Sequence, residues 1–109
     1  MLMRPTLSPG ETRALALFGE RVAALLGGNL LRIVLFGSRA RGEGHEESDL
    51  DLLVLVRAYD AVERRRVLDV AADVDDETGL RLSPIVMDQP RFDASSPLRD
   101  AVDRDGVPL

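Results

Sequence analysis

Apolar side chains recur at helical spacing over Leu15, Phe18, Val22 and Leu25/Leu26, a stripe that predicts a first helix. It opens at Ser8-Pro9-Gly10-Glu11, where Ser and Glu stand three apart as in a capping box and Pro takes the first helical position. Gly27-Gly28-Asn29 ends it. Leu30 to Phe36 reads LLRIVLF, a nearly continuous apolar run rich in β-branched and aromatic residues, and predicts a buried strand that stops at Gly37-Ser38. A polar, glycine-containing segment follows from Arg39 to Ser48. The run DLDLLVLV from Asp49 to Val56 then predicts a second strand with a polar beginning. Tyr59 to Asp76 places Ala61, Val62, Val67, Leu68, Ala71 and Ala72 at helical spacing among charges, with Gly79 positioned to terminate a second long helix. LRLSPIVM, from Leu80 to Met87, predicts a third strand. Pro84 has no ladder donor, so that strand should lie at an edge or carry a bulge. Ser96-Pro97 opens a last short helix that ends near Gly106.

The order helix, strand, loop, strand, helix, strand, helix predicts an α/β (α+β) sandwich: a small mixed sheet of three to four strands covered by helices. The link from Phe36 to Asp49 is about a dozen residues, with room for a helical turn at Arg39 to Arg41 and too little for a comfortable parallel crossover. The first two strands should therefore be antiparallel. No repeat, low-complexity tract or linker interrupts the pattern, so residues 1–109 read as one domain.

Composition narrows the chemistry. At 45% hydrophobic and 30% charged residues the 109-residue chain reads as an ordinary globular domain. Its apolar runs fall far short of the roughly 20 residues needed to span a bilayer, and Met-Leu-Met-Arg-Pro is not a signal peptide, which makes the cytoplasm the expected location. With no Cys and a single His, disulfides, thiolate zinc sites, a Cys nucleophile and multi-His metal sites are all excluded. Carboxylates remain as ligands, and they favour hard cations such as Mg²⁺. The net charge of -5 argues against a broad contact with a nucleic-acid backbone.

Two unlike devices sit within one short stretch. Gly37 and Ser38 follow a strand and open a helical turn, an arrangement that presents backbone N–H groups and a hydroxyl to phosphate. Arg39 and Arg41 could add charge there. Asp49 and Asp51 stand two apart on a strand, so both carboxylates project from one face, close enough to clamp one or two divalent ions, while Leu50 and Leu52 face the core. Taken singly, a Gly-Ser turn, an Asp-x-Asp at a strand start, His45 in a polar loop or the Arg64-Arg65-Arg66 run each has an ordinary explanation as turn, edge, exposed loop or wet helix face. A phosphate cradle facing a metal clamp, in this order and spacing, points to a nucleoside triphosphate.

The stretch GSRARGEGHEESDLDLLV resembles the signature of the polymerase-β-type nucleotidyltransferase superfamily, in particular its minimal nucleotidyltransferase (MNT) branch. The resemblance implies the family's small α/β catalytic fold. It also implies transfer of a nucleoside monophosphate, AMP from ATP, to an acceptor hydroxyl. Gly37 and Ser38 would bind the triphosphate of ATP or another NTP, Asp49 and Asp51 would hold Mg²⁺, two ions at most, and Arg39, Arg41 and Ser48 are further candidate nucleotide contacts. One departure matters. The family's third carboxylate falls at or near Ser83, and a hydroxyl is a poor substitute for it. Asp88 is the nearest acid on that strand, although its odd spacing from Ser83 puts it on the opposite face unless Pro84 introduces a bulge. Glu77 is a weaker candidate. Minimal nucleotidyltransferases are often paired with a small helical HEPN-domain protein as the antitoxin of a toxin–antitoxin pair, which makes such a protein the expected partner and acceptor. The alternative is a catalytically impaired nucleotide-binding domain that neutralises its partner by binding.

Overall fold

A computed structural model describes residues 7–43 and 49–109. Helix α1 (Pro9–Leu26) starts as its sequence predicts: the Ser8 hydroxyl accepts from the Glu11 N–H at 3.0 Å and the Glu11 carboxylate accepts from the Ser8 N–H at 2.9 Å. A short turn, Gly27–Asn29, leads into β1 (Leu30–Phe36). Strand β2 (Leu50–Val56) runs antiparallel to β1, with Phe36 opposite Asp51. Helix α2 (Ala61–Thr78) crosses over to β3 (Leu82–Asp88), which lies parallel to β2. Two short helices follow, α3 (Gln89–Ala94) and α4 (Ser96–Asp105), and Val107–Pro108 adds a two-residue β4 antiparallel to β1. The sheet order is β3-β2-β1-β4.

The mixed four-stranded sheet and the antiparallel β1–β2 pair agree with expectation, and the departures have local causes. Helix α2 begins at Ala61, two residues later than the apolar pattern suggests, because the Asp60 carboxylate accepts from the N–H groups of Val62 and Glu63 and so fixes the start. Its end is displaced to Thr78 because Gly79, at φ 73°, supplies the left-handed residue that closes it. Strand β3 accordingly starts at Leu82. Helix α3 was not foreseen: six residues carry too little periodicity, and the signal that marks it is Asp88 as N-cap followed by Pro90. Pro84 does occupy an edge strand, and the β2–β3 register runs without a bulge from Leu50/Leu82 to Val56/Asp88.

Strand alternation divides the core in two. Ile33, Leu35, Leu50, Leu52, Val54 and Val56 face α1 and α2, packing on Phe18, Val22, Val67 and Val74. Val34, Leu53 and Leu55 face α3 and α4, packing on Phe92 and Val102. By the same alternation Asp51 and Ser83 belong to the second face. The two short helices cover that face incompletely, leaving Ile85 exposed.

Candidate active site

The sheet end where β1 stops and β2 and β3 start gathers Gly37, Ser38, Asp49, Asp51 and Ser83. Gly37 follows Phe36, whose partner across the sheet is Asp51. Gly37 adopts φ 80°, and a Cβ placed there would overlap Oδ2 of Asp51. Two separate features therefore require glycine: a left-handed backbone and direct contact of that backbone with a carboxylate. Beyond it the chain makes a compact turn in which Gly37, Ser38 and Arg39 carbonyls accept from the N–H groups of Arg41 (3.2 Å), Glu43 (2.9 Å) and Gly42 (3.2 Å). Those bonds occupy the turn's carbonyls. The Ser38 and Ala40 N–H groups, at its opening, donate to nothing among the described residues, and such free amides suit an anion. Ala40 is buried in the α1 side of the core and anchors the turn.

Asp49 is exposed, one residue ahead of β2, and Asp51 is half-buried. Burial pushes the Asp51 carboxyl above its ordinary value, and the charge of Asp49 adds to the rise. Ser83 is in register with Asp51 on the neighbouring strand, so its side chain shares the face of Asp51 next to the carboxylate pair. Asp75, on the last turn of α2, was missed by sequence reasoning. Its Oδ1 accepts from the Leu82 N–H at 2.8 Å. Burial is the main cause that raises its carboxyl, with the charges of Asp76 and Asp49 contributing. Among the described residues no group of three acids or histidines converges enough to hold a metal ion alone.

The expectations for Asp88, Glu77 and Arg39 are corrected. Asp88 pairs with Val56 at the far end of β3, and its carboxylate accepts from the Arg91 N–H at 3.0 Å as the N-cap of α3, so it cannot serve beside Asp51. Glu77 turns outward to an ion pair with Arg21. Arg39, expected at the nucleotide, points inward: Nε and Nη2 donate to the two Glu11 carboxylate oxygens at 2.8 and 2.7 Å, and Nη1 donates to the Glu43 carbonyl at 3.0 Å. Both side chains are buried, Glu11 at 0% and Arg39 at 5% exposure. The Arg39 hydrogen bonds hold the Glu11 carboxyl below its ordinary value. No sequence signal separates this role of Glu11 from helix capping, since its partner lies 28 residues away. Arg41 lies on the surface, paired with Glu43 at 3.2 Å and Asp105 at 3.4 Å. Ser48 and His45 lie outside the described residues.

A glycine turn packed on a carboxylate pair, at one end of a mixed α/β sheet, can offer amides to phosphate and oxygens to a hard cation. Such an arrangement is suited to the metal-assisted transfer of phosphate esters. The nucleotidyltransferase domain model matches residues 17–104, and the chain belongs to that family. It is 34% identical over 70 residues to MJ0141 of Methanocaldococcus jannaschii, a candidate protein adenylyltransferase, covering 63% of this chain and 71% of that one. Among solved structures, a candidate minimal nucleotidyltransferase is 28% identical with a TM-score of 0.60, covering 95% of this chain and 99% of its own. A chain of a mutant MntA–HpeT toxin–antitoxin complex is 25% identical with a TM-score of 0.57, covering 84% and 70%.

Proposed function

We propose that the protein transfers AMP from ATP to a hydroxyl of a partner protein, with Asp49 and Asp51 holding Mg²⁺ and the Gly37-Ser38 turn receiving the triphosphate. The observation that carries the reading is the contact between Gly37 and Asp51, which makes the phosphate turn and the carboxylate pair one site rather than two neighbouring loops. In the transfer, the acceptor oxygen bonds to the α-phosphorus, the bond to the bridging oxygen breaks, and pyrophosphate leaves with loss of the hydroxyl proton. Catalysis of this kind is mostly positioning and compensation of charge. The divalent ion supplies that compensation when bound. Asp49 and Asp51 fit it, being two like charges at the start of β2 with no ion pair among the described residues, and the Asp51 carboxyl is raised by burial first and by the charge of Asp49 second. The turn's open amides orient the phosphates, and the partly covered sheet face leaves room for an acceptor.

The likeness to a candidate protein adenylyltransferase and to a chain of a toxin–antitoxin complex supports a protein acceptor, which we take to be a helical HEPN-type toxin with this chain as its antitoxin. A second reading has one observation in its favour. Ser83 stands in register with Asp51 where the family resemblance calls for a third acid, which fits a domain that binds nucleotide and partner with little turnover. Incubation with α-labelled ATP and Mg²⁺, with and without a co-encoded helical partner, separates the two. Label on the partner that disappears in Asp49→Asn/Asp51→Asn supports transfer. Mg²⁺-dependent ATP binding without label selects the second reading, and absence of both rejects the site.

A further inference from the structure

The Arg39 guanidinium is held from two sides. Toward α1 it makes a two-pronged ion pair with Glu11, itself fixed by the Ser8 N–H; toward the turn it grips the Glu43 carbonyl, and its own carbonyl accepts from Gly42. Start and finish of the turn are thereby tied to one rigid helix terminus through a side chain removed from water. Two fixed N–H···O bonds set an orientation as well as a distance, which a flexible ammonium would not. Arg41, on the same turn, pairs among the described residues with Glu43 and Asp105 from a side chain at the surface, and such pairs hold little in place. Stability alone is a weak explanation for the buried pair. Well-packed apolar residues commonly replace such pairs without loss, because two charges must be stripped of water to form them.

We propose that Glu11 and Arg39 form a buried clamp that holds the Gly37–Glu43 turn in the shape that receives the nucleotide, which makes both of them positioning residues. The inference rests on the function proposed above for the turn. Neither side chain touches the nucleotide; they act through the amides of Ser38 and Ala40 and through the seat of Gly37 against Asp51.

The test is the double variant Glu11→Leu/Arg39→Met, with Arg39→Lys beside it, read by thermal unfolding, by calorimetric titration with Mg·ATP and by amide hydrogen exchange without ligand. The expected result is a Tm of the double variant at or above the parent's, with Mg·ATP binding weakened by about tenfold to a hundredfold, the scale on which small misplacements act. Exchange at Arg41, Gly42 and Glu43 should quicken while β1 and β2 amides keep their protection. Arg39→Lys, able to face Glu11 but not to reach Glu43 as well, should fall between. Parent-like affinity and parent-like exchange in the double variant would overturn the clamp. If the double variant does not fold, the exchange profile of Arg39→Lys decides in its place. A parent that fails to bind Mg·ATP counts against the proposed function alone, since exchange of the turn still tells whether the pair holds it.

Discussion

The turn after β1 separates two charged pairs handled in opposite ways. On its inner side Glu11 and Arg39 are buried, opposite in sign and joined by two hydrogen bonds. On its outer side Asp49 and Asp51 are alike in sign, partly solvated and without an ion pair among the described residues. The protons respond in opposite directions: Arg39 holds the Glu11 carboxyl down, while burial and Asp49 push the Asp51 carboxyl up. One pair is matched in charge within the chain, and the other is not matched by any ion pair among the described residues. The contrast distinguishes a side chain that builds a site from one that works in it, where charge and spacing alone would treat all four as candidates.

The largest expected effect comes from breaking the matched pair halfway. Glu11→Gln removes the buried carboxylate that two prongs of the Arg39 guanidinium engage and should cost about 3 kcal/mol or more, a fall in Tm of about 10 °C or more in thermal unfolding. Glu11 has a folded pKa below its unfolded one, so its contribution is present above the unfolded pKa and disappears as pH falls through the folded pKa. The gap between parent and variant should close over that acid range. A gap that persists there would mean that the loss comes from packing rather than charge.

Asp51→Asn should act with the other sign. The raised Asp51 carboxyl favours folding while protonated and opposes it once ionised, so the penalty is absent below the unfolded pKa and complete above the folded one. Without metal, the variant should therefore melt a few degrees higher than the parent at neutral pH and together with it in acid. Mg·ATP should stabilise the parent only. An unchanged Tm at neutral pH would show Asp51 to be no more burdened than a surface carboxylate. The smallest effect belongs to Glu77→Gln, which removes the exposed pair with Arg21 and should leave both Tm and nucleotide binding where they were. A measurable loss there would tie the α1–α2 contact to the site.

How far the chain could be read from its sequence follows the range of the interactions involved. Strand β1 was legible to the residue because a seven-residue apolar run between glycines has one solution, and α1 because its cap is local. The approach of Gly37 to Asp51 was legible because an antiparallel pairing of the two predicted strands brings the end of one against the start of the other. The inward turn of Arg39 was not, since a guanidinium reads as phosphate-seeking unless the acid that captures it is known to be near, and Glu11 lies on another element. Asp75 was hidden for the same reason: only the crossover from α2 to β3 brings it against Leu82. Helix α3 and the two residues of β4 were too short to carry a period.

Pro84 has a consequence for how molecules of this protein meet one another. The Leu50 N–H bonds to the Arg81 carbonyl, so alternate residues Leu82, Pro84 and Val86 turn their backbone toward the outer rim of β3. An incoming strand would look for a row of donors along that rim. The Leu82 N–H is already given to Asp75, and Pro84 has none to give. Only Val86 is left to pair in the middle of the rim, too little to nucleate a cross-molecular ladder even with Ile85 exposed beside it. The border of the sheet nearest the acidic pair is thus closed to fibre-like stacking at high concentration.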